Sequence, residues 1–97
     1  MRVCYRELAL SDLDRIFHYL NERSPAGARK VIDSIHEAIG DIARNPLSAR
    51  RTSESTVRVK VVSQYGYKIF YSVEADSVEI LHVRHGARRP WRAEENR

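Results

Sequence analysis

Cationic and imidazole side chains gather in two stretches, one holding Arg58, Lys60 and Lys68 and the other holding Arg84, His85, Arg88 and Arg89, with Gly86, Pro90 and Trp91 among them. Such groups hold anions. Where the anion is a reacting phosphoryl group, positioned cations would hold the charge that develops on it. On a regular strand Arg58 and Lys60 share one face because side chains alternate, and Lys68 on the next strand could lie beside them. The plainer reading makes these three the solvated side of a half-covered sheet. His85 could act as a base, since an unperturbed imidazole titrates near about pH 6.5; more simply it bonds a backbone group where the strand turns away. His82 and His85 are an odd number of positions apart, so a regular strand sends them to opposite faces, and neither a metal site nor a cofactor is expected. His18 and His36 read as surface residues, and Cys4 as a small packing residue.

The elements that must position these groups follow from periodicity. Val78, Ile80, Leu81 and Val83 form a near-continuous β-favouring run, which suits an interior strand covered on both faces. Glycine frees the backbone at its end and proline stops it. Upstream, Arg2 to Arg6 alternates like a short strand. Ser11 is placed to cap a helix running to about Glu22, with Leu13, Ile16, Phe17 and Leu20 as its stripe. Ser24-Pro25 is a second start signal, cap followed by proline at the first helical position. Ala28, Val31, Ile32, Ile35, Ile39 and Ile42 follow at helical spacing until Asn45-Pro46. The short link between the helices makes them an antiparallel hairpin. Pro46 to Ser55 reads as a surface loop carrying Arg50 and Arg51. Val57, Val59 and Val61 then alternate with Arg58 and Lys60, and Tyr67, Ile69, Tyr71 and Val73 with Lys68, Phe70 and Ser72. The expected fold is α+β, in the order β-α-α-β-β-β, with the helical hairpin on one face of a small, mainly antiparallel four-stranded sheet.

Composition sets further bounds. The 97 residues, 42% hydrophobic, allow one domain over 1–97 with one modest core, and a polar tail frayed from about residue 92. A formal charge of +4 suits nucleic acid or an acidic protein. One cysteine excludes an internal disulfide and a cysteine-based zinc site. Arg2, Arg6 and Glu7 interrupt any secretory pattern at the start, and no apolar run approaches the roughly 18 residues of a membrane span. A cytoplasmic protein with no membrane partner is expected.

Several pieces together carry a resemblance: the short first strand, the helix with Asp12, Leu13, Ile16, Tyr19 and Leu20, the second helix ending in Asn45-Pro46, then YGYKIFYSV from Tyr65 and V.IL.V.HGAR.P from Val78. In this order they resemble the RelE/ParE superfamily of toxins from type II toxin–antitoxin pairs, over nearly the whole chain. The resemblance implies a toxin neutralised by a cognate antitoxin and directed at either of two targets. RelE-like members cleave messenger RNA on the ribosome with basic residues on the sheet face; Arg58, Lys60, Lys68 and Arg88 fall near those positions. ParE-like members inhibit DNA gyrase. Two departures weigh against the nuclease: no tyrosine follows Tyr71 and no histidine follows His85, and Lys68 stands where arginine is common, losing the planar grip on phosphate. The HGAR of His85 to Arg88 resembles the ParE branch. Arg84, His85, Arg88, Arg89 and Trp91 are therefore the expected target-binding rim, although Trp91 could equally fold back over the sheet. Tyr19, Tyr65 and Phe70 are the expected antitoxin contacts.

Overall fold

The computed structural model describes residues 1–86, which form two helices and a five-stranded sheet. Strand β1 (Arg2–Tyr5) leads into helix α1 (Glu7–Asn21), followed by α2 (Pro25–Arg44), β2 (Arg50–Arg51), β3 (Val57–Val62), β4 (Tyr67–Val73) and β5 (Ser77–His85). The sheet order is β1-β5-β4-β3-β2. Strand β1 runs parallel to β5, and the other pairs are antiparallel.

The α+β class, the order of the long elements and the interior position of β5 agree with the sequence reading. Two local features differ. The stretch read as a loop contains β2, whose Arg50 and Arg51 pair with Val59 and Arg58, so the sheet has five strands and not four. Two-residue pairing at an edge leaves no hydrophobic pattern to read. Helix α1 also begins four residues before Ser11, at Glu7, with Arg6 as an extended N-cap lacking any side-chain cap bond. The start is held by tertiary contact instead: the Arg6 N–H donates to the Ile80 carbonyl at 2.9 Å, and Glu7 places a negative charge at the positive end of the helix. At α2 the sequence signal holds. Ser24 is extended and its Oγ accepts from the Gly27 N–H at 3.0 Å, with Pro25 opening the helix.

The core lies between the helix pair and one face of the sheet. Ala9 from α1, Val31, Ile35, Ala38, Ile39 and Ile42 from α2, and Val62, Tyr67, Ile69, Tyr71, Val78, Ile80 and Val83 from the strands form one cluster. A smaller cluster of Val57, Val59 and Phe70, with Leu81 packed against it, forms on the other face. A register shift between Phe70 and Tyr71 places Tyr71 opposite Ile80 and Phe70 opposite His82, so Leu81 is the extra residue of a bulge. That bulge lets Ile80 and Val83, three positions apart, serve the same core.

Candidate functional site

Residues directly opposite one another on neighbouring strands share a face, so the register assigns every side chain of the sheet to one side. On the helix side Val62 pairs with Tyr67, Lys60 with Ile69 and Arg58 with Tyr71. On the open side Val61 pairs with Lys68, Val59 with Phe70 and Val57 with Ser72, and the rows continue onto β5 as Lys68–Arg84, Phe70–His82 and Ser72–Glu79. The expectation that Lys68 lies beside Arg58 and Lys60 is thereby corrected. Lys68 occupies the opposite face. Val57, Val59 and Val61 lie with Phe70 on the open side, and Arg58 and Lys60 between them face the helix side.

Arg58 is occupied there. Its Nη1 donates to the carbonyls of Leu47 at 3.1 Å and Ala49 at 2.9 Å, while the Tyr71 hydroxyl donates to the Pro46 carbonyl at 2.6 Å. Burial raises the Tyr71 phenol above its ordinary value, and the neighbouring Arg58 charge partly offsets this. Together these two side chains pin the segment that leaves α2. Arg88, the fourth residue of the nuclease set, lies outside the described residues, as do Arg89 and Trp91 of the rim.

The rim residues that are described occupy both faces. His85 is opposite Tyr67, on the helix side, and meets its ring edge-on at 5.0 Å between centroids. Arg84 is opposite Lys68, on the open side. Its Nε is buried and has no hydrogen-bond partner among the described residues. The end of β5 is tied to the β3–β4 turn, where Gly66 adopts φ +75° and its carbonyl accepts from the Gly86 N–H at 2.5 Å. A side chain at Gly86 would meet that same carbonyl at 2.8 Å. Glycine at both positions is what allows the turn and the strand end to touch.

The sequence reading assigned no role to the buried polar contact that joins helix to sheet. Strand β1 pairs with β5 only as far as Ile80, leaving the edge of β5 beyond it without a strand partner among the described residues. Asp12 of α1, 3% exposed, fills that edge: its Oδ2 accepts from the Val83 N–H at 2.9 Å and is also bonded by His82 Nδ1. Its Oδ1 takes Arg15 Nη2 at 3.3 Å. The His82 ring lies stacked against Phe70 at 6.2 Å. One signal for this arrangement was visible, because Asp12 stands within the helical series Ala9, Leu13, Ile16 and Leu20, where a carboxylate must find partners. The Ser11 cap assignment hid it.

Among the expected antitoxin contacts, Tyr19 is 47% exposed and the Arg23 guanidinium lies 3.7 Å above its ring centre. Tyr65 is half-buried and lines a groove of about 210 Å³ with Leu20, Arg23, Gly27, Lys30 and Val31. Phe70 is different. It is 5% exposed, so it is a packing residue of the open-side cluster and not a free surface aromatic. Among the described residues no cluster of histidine, cysteine and carboxylate side chains could hold a metal ion, and no helix is long and apolar enough to cross a membrane.

A helix pair laid on a small mixed sheet with basic edges is the architecture of the toxin half of a type II toxin–antitoxin pair. Residues 3–90 match the family described as ParE toxin of type II toxin-antitoxin system, parDE, and the chain belongs to that family. It is 33% identical to the putative toxin Y4kP of Sinorhizobium fredii over 93% of this chain and 92% of that one. It is 30% identical to the toxin RelE3 of Caulobacter vibrioides over 84% of this chain and 89% of that one. Among solved structures, the chromosomal ParDE system of P. aeruginosa superposes with a TM-score of 0.75 at 23% identity, covering 88% of this chain and 95% of that one, a likeness of fold.

Proposed function

We propose that this toxin acts as a ParE-like inhibitor of DNA gyrase, in the cytoplasm, without bond-breaking chemistry of its own, and that a cognate antitoxin neutralises it. The observation that carries the reading is the division of the cations. Arg58 and Lys60 lie on the helix side with Arg58 already bonded to the loop after α2, Lys68 lies on the open side, and the open side between them carries Val57, Val59 and Phe70. Transition-state charge on one phosphoryl group is stabilised by donors aimed at a single point, and cations on two faces of a sheet do not converge on one. The match to the ParE family supports the same reading.

Target binding is assigned to the rim where β5 ends, with Arg84 and His85 at its described edge and Arg88, Arg89 and Trp91 assigned from the sequence. Antitoxin binding is assigned to the exposed side of the helix pair, at Tyr19 and the groove lined by Tyr65. Arginine and lysine at that groove suit an acidic antitoxin segment, whose charge speeds association.

A supercoiling assay with purified gyrase tests the target. Inhibition by wild type and its loss in Arg88→Ala, with antitoxin binding retained, is the expected result. Gyrase unaffected at a large excess of toxin, together with new transcript ends in ribosome-bound messages after induction, would replace this reading with a RelE-like nuclease.

A further inference from the structure

We infer that Lys68 and Arg84 form a receptor for a single carboxylate presented by an acidic segment of a protein partner. The two side chains are directly opposite on β4 and β5, on the open face. Like charges directly opposite destabilise the pair, and an anion bridging them would offset the repulsion. Among the described residues neither forms an ion pair with the protein's own carboxylates. The nearest acidic side chain in the open-face rows, Glu79, is taken by Arg6 at 3.0 Å. Arg84 Nε is buried and has no acceptor among the described residues, so one donor of the guanidinium is already desolvated without compensation. The Lys68 stem passes over the strand end, its Cε 3.5 Å from where a Cβ on Gly86 would stand, which limits where the ammonium can go.

The surroundings select the ligand. In the same row Val61 is 48% exposed beside Lys68, and the next row is Val59 and Phe70. A nucleic-acid backbone presents a line of phosphates and is held by several cations in series. Two cations flanked by exposed valine and a buried aromatic cluster fit instead one aspartate or glutamate with an aliphatic neighbour, the guanidinium supplying a planar two-pronged contact and the ammonium a point charge. The inference does not depend on which target the toxin poisons, because it concerns the binding chemistry of these two residues only.

The test uses the full chain, ¹⁵N-labelled, with the Arg84 Nε–H resonance as probe during titration with sodium acetate, with inorganic phosphate, and with sodium chloride at matched ionic strength. A saturable shift with acetate, absent in chloride, is expected. Lys68→Gln should weaken acetate binding about tenfold, the size of one charge-assisted hydrogen bond. Should that variant fail to fold, Arg84→Lys, which keeps the charge and loses the fork, should weaken it several-fold, read on the amides of 67–69. Shifts that follow ionic strength alone, a Lys68→Gln protein that binds acetate as tightly as wild type, or phosphate bound at least ten times more tightly than acetate would each overturn the assignment.

Discussion

Asp12 and Val83, 71 positions apart, are joined by a buried hydrogen bond of 2.9 Å in which a helix carboxylate takes the place of a missing strand. The same oxygen is bonded by His82, so one side chain closes the edge of β5, orients an imidazole and docks α1 against the sheet. Asp12→Ala would leave the Val83 N–H and the His82 ring nitrogen buried without their acceptor. We expect a loss of about 3 kcal/mol in urea unfolding, because an orphaned buried donor costs its desolvation and bonds to charged acceptors are the strong ones. Asp12→Asn keeps one carbonyl acceptor and should lose less. Equal stability of Asp12→Ala and wild type would remove the edge-closing role.

Arg58 has a structural employment that predicts its phenotype. Releasing its two carbonyl contacts in Arg58→Ala, or the Tyr71 hydroxyl contact in Tyr71→Phe, should cost about 1–2 kcal/mol each and loosen the segment from Pro46 to Ala49. Hydrogen exchange at 47–49 should rise in both. Toxicity at a temperature where both variants remain folded should match wild type, and a folded but harmless Arg58→Ala protein would reopen a direct role for this residue.

Acid should weaken the protein partly through Glu79. The Arg6 side-chain bond at 3.0 Å is the largest cause holding the Glu79 carboxyl below its ordinary 4.5, with Cys4 and Ser77 adding to it against burial. A carboxylate whose folded value is depressed contributes stability that is present above the unfolded value and lost as pH falls through the folded one. Glu79→Gln should therefore be less stable than wild type at neutral pH and should show a shallower decline below about pH 4.5. Parallel pH profiles of urea midpoints for the two proteins would contradict the linkage.

The contact between the β3–β4 turn and the end of β5 tolerates no side chain. Gly86→Ala would place a Cβ 2.8 Å from the Gly66 carbonyl, and neither partner is the flexible end of a side chain. Gly66→Ala would force a non-glycine residue to φ +75°. Each should lose about 1–3 kcal/mol, and Gly86→Ala should also shift the resonances of Lys68 and His85, which pack at the same place. A Gly86→Ala protein melting with wild type would show that the strand end can move aside.

How far each feature was legible depended on the range of the force that sets it. The second helix is written locally: Ser24 caps, Pro25 starts, and the apolar stripe ending at Ile42 faces the sheet, with Ile35 fully buried as its spacing requires. The start of α1 was misplaced because the bond that fixes it, from Arg6 to Ile80, spans most of the chain. Strand periodicity separates two faces but does not say which one the helices cover when both are apolar. The alternation of Val57 and Val59 with Arg58 reads with the cation toward solvent, whereas the Val62–Tyr67 register turns Arg58 to the helix side and buries the two valines with Phe70 on the other face.

By itself the sequence determined the order of the long elements, the interior placement of the Val78–Val83 run and the family, since these rest on local propensity, on hydrophobic spacing and on motifs read in order. The tertiary structure alone decided which cations share a face, that Asp12 substitutes for a strand, and that Lys68 stands against Arg84. Those relations are set by strand register and by a single-residue bulge at Leu81, and a shift of one residue exchanges the two sides of a strand without altering its composition.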